Sequence, residues 1–179
     1  EFLRGEEMSF FIVSDGKNIK NFSTAQDHKR VGEGDTGLNT GGMGAYSPSR
    51  LENDLLNEKI LNRIIKPTLG ALEDLNTNFK GFLYAGLMIV KNEPYLIEYN
   101  VRMGDPECQT ILPRLKTNFF EVIEAVINEE LSQISLNWYH DKALSIVQCS
   151  NGYPENYENN KEIKNLDKVV LGKNEFIFH

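Results

Sequence analysis

With 179 residues, 40% of them hydrophobic and 25% charged, the chain suffices for one core, or for one core and part of another. That balance excludes the disordered, collagen-like and disulfide-scaffold classes. A formal charge of −7 and a pI near 5.1 exclude a broad basic surface for nucleic acid or an anionic membrane, so any phosphate must be held locally.

The first residues, EFLRGEE, read as a strand edge with paired glutamates. The chain starts without Met, inside such a segment, and without a signal-peptide core, which reads as a chain whose beginning has been removed. Residues 8–13, MSFFIV, are apolar and β-prone. Asp15-Gly16-Lys17-Asn18 then offers turn chemistry, and residues 19–22 return as a second strand, predicting a hairpin.

Across residues 23–49 periodicity vanishes and glycines stand at 32, 34, 37, 41, 42 and 44, the pattern of a long functional loop. Glycine permits positive φ and lets backbone N–H groups converge on an anion, and His28, Lys29 and Arg30 add charge beside it. The stretch Gly32-Glu33-Gly34-Asp35-Thr36-Gly37 formally matches G-x-G-x-x-G. With no strand before it and no helix opening inside it, the dinucleotide reading is rejected.

Residues 54–75 carry apolar pairs at helical spacing (Leu55/Leu56, Ile60/Leu61, Ile64/Ile65), with Pro67 set to kink or divide the run. Residues 81–90 form a central strand, and Asn92-Glu93-Pro94 turns it into an antiparallel neighbour over 95–101. Asn118 and Glu121 have capping-box spacing ahead of a helix running to about Leu131. Beyond Trp138 the texture changes to short strands at 143–149, 169–171 and 176–178. The expected class is therefore α+β: an antiparallel sheet with covering helices over residues 1–138, then the start of a small β-rich domain over 139–179. Cys108 and Cys149 lack the spacing of zinc or redox motifs, and no apolar run approaches the ~18 residues of a membrane span. A cytoplasmic, membrane-free protein is expected.

In LIEYNV, residues 96–101, strand alternation puts Glu98, Asn100 and Arg102 on one face and Ile97, Tyr99 and Val101 on the other. A carboxylate and an amide carbonyl are hard donors suited to Mg²⁺, and Arg102 adds a planar cation for carboxylate or phosphate. An isolated Glu-x-Asn is more often two ordinary polar residues on a solvated face, so context has to raise it.

That context is a family resemblance. EFLRGEE, AQDHKRVGEGDTG, NTGGMGAYSP, GFLYAGLMI, IEYNVRMGDPE and NGYP stand in the order and spacing of phosphoribosylamine–glycine ligases, across essentially the whole chain. The resemblance implies the C-terminal lobe of an ATP-grasp fold. It implies a ligase that joins glycine to 5-phosphoribosylamine with ATP cleavage, through a glycyl phosphate, using Mg²⁺ or Mn²⁺. It further implies Glu98 and Asn100 as metal ligands, and Leu3 and Glu7 at adenine and ribose. Lys29, Arg30, Asn39, Thr40, Gly41, Gly42, Gly104 and Asp105 would bind the acceptor side, with Arg102 and Asp35 as catalytic groups. Leu38, Met103 and Cys108 replace the family's usual Pro, Phe and Thr, which implies altered packing and no lost chemistry. A further partner would be the amino-terminal half that the family places before Glu1, without which this chain is expected to be inactive. Two alternatives stay open: another ATP-grasp carboxylate–amine ligase, and a non-catalytic nucleotide-binding fragment.

Overall fold

Four consecutive residues, Phe10, Phe11, Ile12 and Val13, are completely buried, which requires a strand covered on both faces. In the computed structural model, which describes residues 1–179, that strand is β1 (Glu6–Asp15). It pairs with β2 (Ile19–Asp27) on one side and β6 (Lys80–Val90) on the other. Outside these lie β7 (Glu93–Asn100) on the β6 side, and β5 (Gly44–Ser47) with β8 (Ala143–Ile146) on the β2 side. The six strands run antiparallel in the order β7-β6-β1-β2-β5-β8. A separate hairpin, β3 (Arg30–Gly32) with β4 (Thr36–Asn39), occupies what reads as loop in the sequence.

One face of the sheet, carrying Met8, Phe10, Ile12, Leu83, Ala85 and Leu87, packs on Leu56, Ile60 and Ile65. These belong to one helical run: α1 (Asp54–Ile60), a π-helical segment Leu61–Ile65, and α2 (Lys66–Asp74). Pro67 lacks an N–H, and the wider π turns just before it carry the run through without a break. The opposite face buries Phe11, Val13, Phe22 and Tyr84 against Ile111 of α3 (Glu107–Ile111) and Val122 and Val126 of α4 (Phe119–Ile127). Asn118 caps α4 by accepting from the Phe120 N–H at 3.0 Å.

Two irregularities change which side chains face where. The β1/β2 register shifts between Phe11 and Ile12, leaving Phe22 as an extra residue, so Phe22 and Ala25 both reach the second core. The β6/β7 register shifts between Gly86 and Leu87, where Gly86 pairs with Glu98 but Leu87 with Leu96, so Ile97 is the bulged residue. Strict alternation over Ile97–Glu98 therefore fails.

The chain beyond Trp138 differs from the expectation. β8 is the sixth strand of the same sheet, and residues 169–171 and 176–178 form no strands. They have no neighbouring strand to satisfy their backbone, and Val170 is 93% exposed. No helix is long and apolar enough to cross a membrane.

The β1–β2 turn rests on Asp15, whose side chain is fully buried. Its Oδ1 accepts from the Lys17 and Asn18 N–H groups at 2.9 and 2.6 Å, and its Oδ2 from the Leu131 N–H at 3.0 Å. Burial pushes this carboxyl up, but the N–H donors from Asn18, Lys17 and Leu131 outweigh it and hold it below its usual value. A depressed folded pKa stabilises above the unfolded pKa, and the benefit is lost as pH falls through about 4 and below. Asp15→Ala is expected to cost about 2–4 kcal/mol at pH 7, since it orphans several donors including the buried Leu131 N–H. The difference from wild type should shrink towards pH 3. Urea titrations at pH 7 and pH 3 check this; an equal loss at both would contradict the charge-based account.

Candidate functional site

The face that forms the second core at one end of the sheet turns polar at the other. Along β1, Val13 and Phe11 are followed on the same face by Ser9 and Glu7; along β2, Ala25 is followed by Asp27 and then Lys29; along β6, Tyr84 by Gly86. α4 covers the apolar part, and α3 reaches the polar part with its first residue, Glu107. The uncovered part is a cavity of about 140 Å³ lined by Glu7, Ser9, Asp27, Lys29, Tyr84, Gly86 and Glu98, with Met8, Leu87 and Ile97 as its apolar wall. The bulge puts Ile97 beside Glu98 here. Gly86 keeps the floor open, because a Cβ there would press to 3.3 Å from Glu98 Cγ.

The cavity is organised by charge. Lys29 Nζ lies 3.0 Å from Glu7 Oε2. Burial works against the lysine charge, yet Glu7, Asp27 and Glu98 outweigh it and raise its pKa. Glu98 Oε1 accepts from Asn100 Nδ2 at 3.0 Å, and Glu98 has no ion pair. A carboxylate joined to a carboxamide on an open strand is a hard-oxygen donor pair, and these residues fit a small divalent cation that completes its shell with water and phosphate.

Behind the cavity sits a group the sequence reading did not single out. Glu107, 2% exposed, accepts from Ser9 Oγ at 2.9 Å, and Ser9 Oγ is also hydrogen-bonded to Tyr84 Oη at 2.9 Å. Burial first and the Glu107 charge second push the Tyr84 phenol far up, which keeps it a neutral hydrogen-bonding group. Gly104 leaves space for this carboxylate, since a Cβ there would fall 2.2 Å from Glu107 Oε2. Asp27 stands between Glu107 and Lys29, and its Oδ1 is buried with no hydrogen-bond partner. Burial, then Glu107, push its carboxyl up to about 7. The signal for Asp27 was its period-2 spacing with Ala25 and Lys29. Nothing local marks Glu107, which follows a loop rather than a periodic run.

A carboxylate whose folded pKa lies above its unfolded value stabilises fully below the unfolded pKa and loses that contribution as pH rises through the folded one. Asp27→Asn is therefore expected to leave stability unchanged near pH 4 and to raise it by about 1–3 kcal/mol at pH 8, allowing for solvent screening. Thermal unfolding at the two pH values checks this, and a variant no more stable than wild type at pH 8 would contradict it.

The glycine-rich segment meets this wall through Gly42. At φ +127° a Cβ there would fall 2.5 Å from Pro106 Cδ and 2.9 Å from Asp27 Oδ1. Thr40 anchors the same turn: its N–H and Oγ1 donate to the Lys29 carbonyl at 2.7 and 2.9 Å, and Oγ1 accepts from the Gly42 N–H at 3.0 Å. Gly42 and Asp105 are thus brought together, with Gly41 and Gly104 beside them in sequence. Other residues singled out from the sequence stand apart from the cavity. Arg30 points into the β3–β4 hairpin, donating to the Gly37 carbonyl at 2.7 Å, and Asn39 pairs with it across that hairpin. Asp35 occupies the exposed hairpin turn at φ 61°. Arg102 follows β7, exposed, with Nη1 on the Met103 carbonyl at 3.0 Å, and Asp105 Oδ1 accepts from Gln109. Leu3 precedes β1 and lies outside the cavity wall.

Residues 1–108 match the family described as phosphoribosylglycinamide synthetase, ATP-grasp (A) domain. The chain is 50% identical over 171 residues to the chloroplastic phosphoribosylamine–glycine ligase of Arabidopsis thaliana, covering 94% of this chain and 32% of that protein. It is 42% identical over 179 residues to the phosphoribosylamine–glycine ligase of Brucella melitensis, covering 100% of this chain and 42% of that protein. The crystal structure of phosphoribosylamine–glycine ligase from Thermotoga maritima superposes with a TM-score of 0.73 at 35% identity, over 88% of this chain and 39% of that one. The chain thus spans well under half the length of these relatives.

Proposed function

The chain belongs to the phosphoribosylglycinamide synthetase ATP-grasp (A) domain family, and from that membership we propose that it carries the metal and acceptor face of a phosphoribosylamine–glycine ligase. The reaction is ATP-dependent ligation of glycine to 5-phosphoribosylamine, giving glycinamide ribonucleotide, ADP and phosphate through a glycyl phosphate. Its place is early purine synthesis, with the cytoplasm as the compartment. The observation that carries this reading is the cavity where Glu98, Lys29 and Glu7 converge, bordered by the Gly42–Pro106 contact.

Phosphoryl transfer to a carboxylate depends on alignment and charge neutralisation more than on a side-chain nucleophile. Glu98 and Asn100 would hold Mg²⁺ or Mn²⁺, which supplies charge compensation to the ATP phosphates when bound. Lys29 adds a fixed positive charge held by Glu7, which lies on the side read as facing ribose, and Leu3 stands towards adenine. Thr40, Gly41 and Gly42, with Gly104 and Asp105, would enclose the amine acceptor. Arg102, Asp35, Arg30 and Asn39 are further candidates for the acceptor side, and their exposed positions suit groups that move in when substrate binds.

Coupled measurement of ADP release by a full-length ligase that contains this chain tests the proposal. Release is expected to require glycine and 5-phosphoribosylamine together. ADP release dependent on a different amine would favour another carboxylate–amine ligase, and none under any combination would favour a binding domain without turnover.

A further inference from the structure

The segment after Trp138 reads in the sequence as the start of another domain, yet it is stitched to the acceptor wall. β8 pairs with β5 from Gly44 to Ser47, and the Val147 N–H extends that ladder to the Met43 carbonyl at 2.9 Å. Ser145 Oγ accepts from the Ala45 N–H at 3.2 Å and lies 3.4 Å from the Pro106 carbonyl, touching both the glycine segment and the approach to α3. Beyond it the chain turns tightly at Gly152, φ +94°, where a Cβ would fall 2.2 Å from the Asn156 carbonyl oxygen. That turn delivers Tyr153, braced edge-on by Tyr157 at 5.2 Å between ring centroids. The Tyr153 hydroxyl oxygen accepts the Gly41 N–H at 3.1 Å.

Among Thr40, Gly41 and Gly42, only Gly41 has its N–H held from beyond the glycine-rich segment. The Thr40 and Gly42 amides are bonded to the Lys29 carbonyl and Thr40 Oγ1 respectively. Without Tyr153 the Gly41 peptide would be free to rotate, and glycine has the widest range of conformations to lose on ordering. We propose that Tyr153 is a positioning residue of the acceptor subsite: its hydroxyl fixes the Gly41 peptide and so pre-orders the glycine turn that receives the amine substrate. The proposal rests on the ligase reading for the identity of that substrate. It places the subsite across the boundary read near Trp138, with Tyr153 reaching it from beyond that boundary.

Two measurements on wild type and Tyr153→Phe test it. Amide exchange of Gly41 in this chain is expected to accelerate about five- to tenfold in the variant, the equivalent of one net hydrogen bond, while core amides such as Phe10 and Ala85 stay unchanged. In the ligase, KM for 5-phosphoribosylamine is expected to rise by a similar factor, with kcat and KM for ATP unmoved. Unchanged Gly41 exchange overturns the proposal. So does faster exchange without a change in acceptor KM, or a fall in kcat accompanied by a rise in every KM, which marks a general structural defect. A wild-type enzyme that ignores 5-phosphoribosylamine overturns the ligase reading, and is recognised before any variant is compared.

Discussion

Glu98→Gln is expected to lower turnover of the ligase by about a hundredfold or more, roughly 2.7 kcal/mol of transition-state stabilisation, without loss of fold. The carboxylate makes one hydrogen bond, to Asn100, forms no ion pair, and projects from the edge strand β7 into the open cavity. Gln keeps its shape and its bond to Asn100 but removes the negative charge that a divalent cation requires. Asn100→Leu, which deletes the second oxygen donor, should behave similarly. Steady-state ADP release and thermal unfolding of both variants decide the matter. Turnover within about threefold of wild type, under about 0.7 kcal/mol, would remove Glu98 and Asn100 from the metal site.

Isolated as 179 residues, the chain is expected to bind Mg-ATP with a dissociation constant near millimolar, about a thousandfold weaker than a micromolar nucleotide site. A ligand of this size is ordinarily enclosed in a pocket of about 300–1,000 Å³ that covers most of its surface. Here the cavity is about 140 Å³, and the segment read as facing adenine lies open, with Phe2 86% exposed. One-sided contact forfeits apolar burial and leaves the phosphates hydrated. Calorimetric titration with Mg-ATP measures this directly. A micromolar constant, or glycine-dependent ADP release by this chain, would show that the open face suffices.

The amino-acid sequence by itself determined the parts whose signal is local. The run MSFFIV is continuous and apolar because its strand is covered on both faces, and it became the sheet's central strand. The spacing of Leu56, Ile60 and Ile65 put one helical run on that sheet, and Asn118 announced the cap of α4. The shared face of Glu98 and Asn100 was legible because two residues is the strand repeat, and no irregularity falls between them.

Tertiary structure decided whatever depends on partners far along the chain. The bulges at Phe22 and Ile97 exist because neighbouring strands tolerate one extra residue there, and a period-2 reading has no term for it. The hairpin within the glycine-rich stretch closes by pairing Arg30 with Asn39, against a composition that reads as loop. Residues 169–171 and 176–178 have strand composition but meet no strand, so they stay irregular. Glu107 became a buried carboxylate through Ser9 and Tyr84, and burial, then the Glu107 charge, pushed the Asp27 carboxyl up. Tyr153 reached Gly41 across more than a hundred residues of sequence. Side-chain periodicity reports which face a residue takes within its own element. Burial, charge neighbours and hydrogen-bond partners are set only when separate elements pack.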